Sequence, residues 1–245
     1  MRKLNLSLTL LIVLNLISLQ VNAEQLRIAV AANFYFTLSL IQQQFEKEHD
    51  DKLVIIKGST GKLYAQIKHG APYDIFMAAD ARRPQLLEQE RLTVKNSRYT
   101  YANGLLALWS KKNQVQVLSL LKKGHFKKLA VANPKTAPYG FAAAEVLTAL
   151  KLNDVVKNKL VYGENIAQVF QFVQSGSATL GFVALSYVKR VSSQYWQVPQ
   201  KLYSPLKQQM VILKRSKKQK LASKFADFLK SEKIKHIIKQ QGYVI

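Results

Sequence analysis

Residues 58 to 80 read GSTGKLYAQIKHGAPYDIFMAAD, and this stretch holds the clearest architectural signal in the chain. It begins with a small, hydroxyl-rich turn and continues into a helical pattern with Leu63 and Ile67 one turn apart. A Gly-Ala-Pro turn then leads into the apolar run 74–78, which ends at Ala79-Asp80 before another helical pattern starts. Strands that alternate with helices at this spacing predict right-handed crossovers and a mostly parallel sheet with helices on both faces.

The same alternation continues on both sides of this stretch. Strands are predicted at 26–31, 53–56, 74–78, 105–109, 129–132, 160–162, 180–184 and 210–213. Helices are predicted up to residue 48 and at 61–69, 81–90, 141–150, 166–174 and 221–239, with a stop at Gly242. Because the strand–helix order starts again after residue 103, we expect an α/β fold with two Rossmann-like lobes, each with a mostly parallel sheet.

The two lobes are expected to be joined by a hinge made of extended strands. No segment is rich enough in proline, glycine or serine to form a long linker. The crossings are expected near Asn103 and between Ser204 and Met210. Lobe I would then comprise residues 24–103 plus 205–245, and lobe II would be the inserted segment 104–204. Lobes connected in this way can close around a ligand.

Residues 1–23 are predicted to be a signal peptide. A basic start is followed by a Leu/Ile/Val-rich run and by small residues that end at Ala23, as in a secretory leader. An uncleaved membrane anchor is the alternative. The chain has no cysteine, so it has neither a disulfide nor a site for lipid attachment. An exported protein without a lipid anchor is expected in the periplasm.

The chain is strongly basic, with 37 basic and 14 acidic residues and a formal net charge of +23. Loss of the leader would remove Arg2 and Lys3, leaving 35 basic against 14 acidic residues, or +21. This charge raises nucleic acid or an anionic membrane as an alternative partner. Because the lysines are spread along the whole chain and no aromatic-basic motif appears, a solvated basic surface without a specific nucleic-acid site is expected.

Five apolar runs end at a small or polar residue where an amphipathic helical pattern begins. These junctions lie at Asn33, 59–61, 79–80, 139–140 and 164–166. The first amides of a helix have no partner within the helix, so each junction offers donors beyond the end of a strand. Donors without nearby cationic side chains suit an anion that never carries a proton.

Two of the junctions in the first half carry polar side chains. Asn33 could cap the following helix or turn its amide toward a ligand. Ser59 and Thr60 could offer hydroxyls to an oxyanion, or one of them could be an ordinary N-cap. The GSTGK sequence is not a nucleotide-binding P-loop, since only two residues separate its glycines.

The remaining junctions are expected to supply mainly backbone amides. Asp80 is a predicted N-cap, which would leave the amide of Ala79 free to point into a cleft. In the second half, Tyr139 could contribute a hydroxyl or an amide, and Ile166 only an amide.

The sequence favours a binding protein over an enzyme. A hydrolase would need a nucleophile with a base and an orienting acid. Histidines occur in lysine-rich stretches, without metal-ligand spacing, at positions 49, 69, 125 and 236. No paired carboxylates and no metal motif appear, so neither a cofactor nor a metal site is expected.

Several segments together resemble the periplasmic molybdate-binding proteins of ABC transporters. They are AVAANF at 29–34, 58–80, ANPKTAPYGFAA at 132–143, YGENIAQ at 162–168 and GFVALSYV at 181–188. They occur in the order and spacing of that family, and the resemblance covers residues 24–245. It implies the type II periplasmic binding protein fold, with molybdate or tungstate held between the lobes and delivered by a monomer to a membrane permease.

The resemblance also implies which residues hold the anion. The polar residue after the first strand corresponds to Asn33, and the hydroxyl of the second turn to Ser59 or Thr60. The positions that supply amides are Ala79, Tyr139 and Ile166. Many members carry a ligand-binding tyrosine where this chain has Ala184, so this chain would use fewer donors or let Tyr139 substitute.

The donors predicted from the sequence also limit the class of ligand. Molybdate, tungstate and sulfate are fully ionised at neutral pH and need only donors, whereas hydrogen phosphate also needs an acceptor. The nearest carboxylates, Asp80 and Glu164, are better explained as helix-start residues. Sulfate and phosphate therefore remain alternatives, the second disfavoured.

Overall fold

The computed structural model describes residues 24–112, 116–192 and 194–245. The predicted signal peptide lies outside these residues, and so does its alternative, the uncleaved anchor. In the described part of the chain, no helix is long and apolar enough to cross a membrane.

The elements alternate as the sequence predicts. The strands are β1 (Gln25–Ala31), β2 (Lys52–Gly58), β3 (Ile75–Met77), β4 (Tyr99–Gly104), β5 (Leu106–Trp109), β6 (Leu129–Ala132), β7 (Leu160–Gly163), β8 (Leu180–Ala184), β9 (Tyr195–Gln197) and β10 (Leu206–Ile212). The helices are α1 (Tyr35–Glu48), α2 (Thr60–Lys68), α3 (Arg82–Gln89), α4 (Val117–Lys123), α5 (Pro138–Ala149), α6 (Asn153–Val156), α7 (Ile166–Gln174), α8 (Leu185–Val188), α9 (Gln219–Leu229) and α10 (Glu232–Gln240). Short 3-10 helices cover Ala32–Phe34 and Gln200–Leu202.

The strands form two five-stranded sheets, and each sheet is the centre of one α/β lobe. The first lobe has the strand order β2-β1-β3-β10-β4, and the second has β7-β6-β8-β5-β9. Two lobes were predicted, and this prediction is confirmed. The chain leaves the first sheet at Gly104 and enters the second at Leu106. It returns between β9 and β10.

The sheets are mixed, which corrects the expectation that they are mostly parallel. β1 is parallel to β2 and β3, and β6 is parallel to β7 and β8. However, β10 is antiparallel to β3 and β4, and β5 is antiparallel to β8 and β9. The antiparallel pairings all involve strands next to a passage between the lobes, because a strand that arrives from the other lobe needs no helical crossover.

Burial explains why the central strands are almost continuously apolar. In β1, Ile28 and Val30 are fully buried against one helical layer, and the intervening Ala29 is fully buried against the other. Helix α1 buries Leu38, Ile41 and Phe45, the apolar face predicted from the helical period.

Several element boundaries differ from the sequence-based expectation. Helix α5 begins at Pro138 rather than at Phe141, because proline fits the first turn of a helix. The prediction of a single closing helix is wrong, because α9 and α10 are separate helices with Ser231 in an extended conformation between them. Gly242 has a φ of +90°, a conformation that favours glycine, just after α10 ends. The helices α4, α6 and α8 and the strands β4 and β9 were not predicted as separate elements.

Candidate functional site

One small cavity lies where strand ends from the two lobes meet. Its walls are formed by Ala31, Ala32, Asn33, Gly58, Ser59, Thr60, Ala79, Ala137, Pro138, Tyr139, Asn165 and Ile166. The six residues singled out from the sequence are therefore brought together. The volume open to the centre of a water molecule is about 10 Å³. That space is about what one water-sized group needs, so a nucleotide, sugar or peptide does not fit in this closed arrangement.

Helix N-termini from both lobes point at this cavity. Helix α2 starts at Thr60 and the 3-10 helix at Ala32 in the first lobe, while α5 and α7 start at Pro138 and Ile166 in the second. The first amides of a helix are unpaired donors, and the helix dipole adds partial positive charge there. Four helix starts therefore lie around one cavity, although the Gly61 amide of α2 is already paired with Thr136 O.

In the second lobe, local sequence leaves two backbone amides available. Pro138 has no N–H, so Tyr139 carries the first amide of α5. Asn165 caps α7, and its Oδ1 accepts from the amides of Ala167 at 3.0 Å and Gln168 at 3.2 Å. The Ile166 amide is not served by this cap, and Ile166 is buried on the cavity wall.

Gly140 lets α5 approach the end of β6. A Cβ at this position would overlap the carbonyl oxygen of Ala132, well inside van der Waals contact. The glycine after Tyr139 therefore fixes how closely the N-terminus of α5 lies to the end of β6.

In the first lobe, Ser59 is not the ordinary N-cap that the sequence left open. It occupies the N-cap position of α2, but its side chain makes no capping hydrogen bond. Its Oγ is buried and has no hydrogen-bond partner in the described structure. A buried hydroxyl without a partner is costly, so this group is suited to donate to a bound ligand.

Thr60 and Ala79 act together rather than separately. The Ala79 amide, expected to point freely into the cleft, donates to Thr60 Oγ1 at 3.2 Å. This bond uses an acceptor position of the hydroxyl and leaves its proton available. The Ala79 amide therefore acts on the cavity only indirectly, through its hydrogen bond to the Thr60 hydroxyl.

Asn33 likewise does not cap the helix that follows it. Its Nδ2 donates to Gln208 Oε1 at 2.8 Å and to the Tyr243 hydroxyl at 3.2 Å. Its Oδ1 is buried without a partner among the described residues. The capping role considered for Asn33 is therefore wrong, and its role as a ligand stays a prediction, because both hydrogen bonds of Nδ2 are internal.

Charged side chains near the cavity are paired with one another. The Asp80 carboxylate accepts from the Arg83 amide at 3.0 Å and forms an ion pair with the Arg83 guanidinium. Across the mouth of the cavity, Lys62 Nζ lies 2.9 Å from Glu164 Oε1. None of the described residues that line the cavity is charged.

Direct contacts hold the two lobes together around the cavity. The Gly61 amide donates to Thr136 O at 2.8 Å, and the Tyr187 hydroxyl donates to Ala32 O at 2.7 Å. Arg83 also reaches the carbonyl oxygen of Lys135 at 3.3 Å. The structure is therefore a closed one.

Buried phenols lie behind the cavity wall. Burial raises the pKa of Tyr101 and Tyr139 well above the usual value, and raises that of Tyr243 to about 12. These hydroxyls therefore stay protonated at neutral pH. The Tyr139 hydroxyl contacts Gln208 Nε2 at 3.3 Å. Ala184, where many relatives of the resembled family carry a tyrosine, is fully buried and is not part of the cavity wall.

Sequence reasoning missed Gln208, Tyr101 and Tyr243, which lie behind Asn33. They come from β4, β10 and the segment after α10, far along the chain from Asn33. Nothing in their local sequence points to a shared site, because contacts between distant segments bring them together.

The fold and the cavity define a class of protein: a two-lobed receptor that encloses a small solute. Residues 26–244 match the model of a family described as bacterial extracellular solute-binding protein, and the chain belongs to this family. Its members are binding proteins of transporters rather than enzymes. No group of three or more histidine, aspartate and glutamate side chains that could hold a metal ion occurs in the described ranges.

Similar proteins have more specific names. The chain is 46% identical over 234 residues to the molybdate-binding protein ModA of Azotobacter vinelandii, covering 93% of each chain. It is 38% identical to the ModA of Rhodobacter capsulatus, covering 93% of this chain and 91% of the other. Among solved structures, the periplasmic molybdate-binding protein of A. vinelandii superposes with a TM-score of 0.84 at 37% identity, covering 90% of this chain and 99% of that one.

Proposed function

We propose that this protein is a periplasmic receptor that captures molybdate in the cavity between its lobes and delivers it to an ABC transporter. The similarity to two proteins named molybdate-binding protein supports the ligand. The observation that carries the proposal is one small cavity lined by uncharged residues, at which the unpartnered Ser59 hydroxyl and the starts of α5 and α7 can supply donors.

The proposed ligand contacts come from both lobes. In the first lobe, the hydroxyls of Ser59 and Thr60 and the side chain of Asn33 would donate to the anion, with Ala79 supporting Thr60. In the second lobe, the backbone amides of Tyr139 and Ile166 would donate. Donation by neutral groups fits an anion that is doubly charged and carries no proton.

The pairing of nearby carboxylates argues against hydrogen phosphate. That anion needs an acceptor for its proton, usually a carboxylate that faces the site. Asp80 is paired with Arg83 and Glu164 with Lys62, and neither carboxylate lines the cavity. Sulfate needs only donors and differs from molybdate mainly in size, so it is the closer alternative. Tungstate has the same charge and shape as molybdate and is proposed as a second ligand.

The domain division and location belong to the same proposal. Lobe I would comprise residues 24–103 with 205–245, and lobe II the insertion 104–204, following the two passages between the sheets. A leader of residues 1–23 would direct a monomer to the periplasm, where it would meet the permease in the inner membrane. The basic surface would attract anions over a distance and would not form a specific nucleic-acid site.

Thermal melting of the chain from Glu24 onward tests this proposal. Molybdate or tungstate should raise the midpoint, because a ligand that binds only the native state stabilises it. Sulfate should raise it less and phosphate least. If molybdate leaves the midpoint unchanged while sulfate or phosphate raises it, the ligand assignment is wrong. Salt-sensitive retention on DNA that survives the joint change of Asn33 and Ser59 to alanine would instead favour a basic nucleic-acid-binding protein.

A further inference from the structure

Gln208 lies directly behind the cavity wall and contacts both lobes. It belongs to β10 and is fully buried. Its Oε1 accepts from Asn33 Nδ2 at 2.8 Å and lies 3.1 Å from the Tyr101 hydroxyl. Its Nε2 lies 3.3 Å from the hydroxyl of Tyr139, a residue of the opposite lobe. One side chain thus joins a cavity residue of the first lobe to a cavity residue of the second.

The hydrogen-bond donors in this cluster do not match its acceptors. Tyr101 has one hydroxyl proton, but its oxygen lies 3.0 Å from Ala78 O and 3.1 Å from Gln208 Oε1, and both are acceptors. On the cavity side, Asn33 Oδ1 is buried with no donor in the described structure. An acceptor at this place would also repel an anion in the cavity.

If the N and O atoms exchange places in the side-chain carboxamides of both Asn33 and Gln208, the hydrogen-bond donors match the acceptors. Gln208 Nε2 would then donate to the Tyr101 oxygen and to Asn33 Oδ1, and Tyr139 would donate to Gln208 Oε1. Asn33 Nδ2 would be free for the cavity. The 3.2 Å contact between Asn33 and Tyr243 would then join two oxygen atoms with no proton between them. Tyr243 would keep its 2.7 Å bond to Asn33 O and its contact with Ser186.

The chain leaves special room for the meeting of Gln208 and Tyr139. A Cβ at residue 104 would overlap both the Tyr139 hydroxyl and Gln208 Nε2. Only a glycine at this position, at the end of β4 where the chain passes to the second lobe, allows the contact. The contact between Gln208 and Tyr139 therefore depends on the glycine at residue 104 as well as on the two side chains.

We propose that Gln208 is a positioning residue that holds the Asn33 carboxamide with its NH₂ group in the cavity, and that Tyr139 fixes Gln208 in this orientation when the lobes close. The inference rests on the proposed function. With Gln208 in this role, Asn33 presents only hydrogen-bond donors to the cavity, so the site rejects anions that carry a proton. It also links lobe closure to the orientation of a ligand-binding side chain.

Calorimetric titration with sodium molybdate at pH 6 and pH 8 tests this role in the chain from Glu24 onward. Gln208→Met removes the bridge, and the affinity should fall about tenfold to a hundredfold at both pH values. Gln208→Glu should bind as weakly at pH 8, because an ionised carboxylate only accepts and pins Asn33 Nδ2 away from the cavity. A buried carboxyl has a raised pKa and becomes a donor when protonated, so Gln208→Glu should recover at pH 6.

The neighbouring Gln209 provides the matched control. It lies on the same strand, but its amide contacts Thr100 and Arg98 instead of the cavity cluster. Gln209→Met and Gln209→Glu should bind like the unchanged chain at both pH values. The groups that face Gln208 are the phenols of Tyr101 and Tyr139, whose raised pKa values keep them protonated between pH 6 and 8.

The outcomes separate the two proposals. If the unchanged chain binds molybdate and both Gln208 variants bind within about twofold of it, Gln208 has no positioning role. If Gln208→Glu is weak at both pH values without recovery, its role is only structural, and the inference is also overturned. Should the Gln208 variants fail to fold, Tyr139→Phe removes one hydroxyl, and an unchanged affinity would overturn the inference. If the unchanged chain does not bind molybdate, the proposed function itself fails.

Discussion

Replacing Ser59 by alanine should separate ligand binding from stability. The hydroxyl of Ser59 is buried on the cavity wall, makes no capping bond and has no partner among the described residues. In the free protein, removing the Ser59 hydroxyl breaks no hydrogen bond and eliminates a buried polar group that has no partner in the described structure. In the complex it removes one donor to the anion.

The expected magnitude follows from the charge of the acceptor. A hydrogen bond to a charged group contributes about 1.5–3 kcal/mol, so the dissociation constant for molybdate should rise about 10- to 150-fold. With ligand at about 100 times the dissociation constant, the unchanged chain gains about 2.7 kcal/mol, and a 30-fold weaker variant gains about 0.9. The difference, about 1.8 kcal/mol, corresponds to about 4–7 °C in the melting midpoint.

Melting curves with and without molybdate measure both effects in one experiment. Ser231→Ala is the matched control, because Ser231 also occupies an N-cap position without a capping bond and has a buried, unpartnered Oγ, but lies before α10 and not on the cavity wall. Both variants should melt within a few degrees of the unchanged chain when no ligand is present. If Ser59→Ala keeps the full ligand-induced shift, or if Ser231→Ala loses it, the reasoning about unpaired donors is refuted.

Three further changes test other parts of the structure. The pKa of Tyr243 is raised to about 12, so its protonated form stabilises the fold fully below pH 10. This contribution should fall by about 1.4 kcal/mol per pH unit from pH 10 to 12 in urea unfolding. Tyr243→Phe should reduce the slope by this amount and leave the part that Tyr101 and Tyr139 contribute, because burial raises their pKa values too. Lys62→Ala breaks a half-exposed ion pair with Glu164 and should speed molybdate release in stopped-flow by less than about fivefold, with the effect vanishing in high salt. Gly140→Ala forces a Cβ against Ala132 O and should destabilise the chain by about 1–3 kcal/mol in urea unfolding, while an unchanged midpoint would contradict the packing of α5.

The alternation of apolar runs and helical patterns was enough to predict the two lobes. The strands β1, β6 and β8 are short and almost wholly buried, so their composition alone marks them. The mixed character of the sheets could not be predicted in this way, because strand direction depends on which edge a returning strand pairs with. The break at Ser231 was missed because the apolar spacing continues across it at nearly helical period.

The candidate site was predictable where it depends on local chain geometry. Ser59 follows β2 directly, and Tyr139 and Ile166 lie at the starts of the helices that follow β6 and β7. The start of a helix after a strand is a local signal. The bond between Ala79 and Thr60 and the position of Gln208 depend on pairings between distant segments. No sequence pattern specifies which face of β10 meets Asn33, so these contacts needed the structure.

Isothermal titration of the chain from Glu24 onward with molybdate, and separately with sulfate and phosphate, tests the central claim most directly. One molybdate should bind per chain at micromolar concentration or below, with weaker binding of sulfate and little or none of phosphate. Absence of binding heat with molybdate across a range of temperatures, or tighter binding of phosphate than of molybdate, would contradict it.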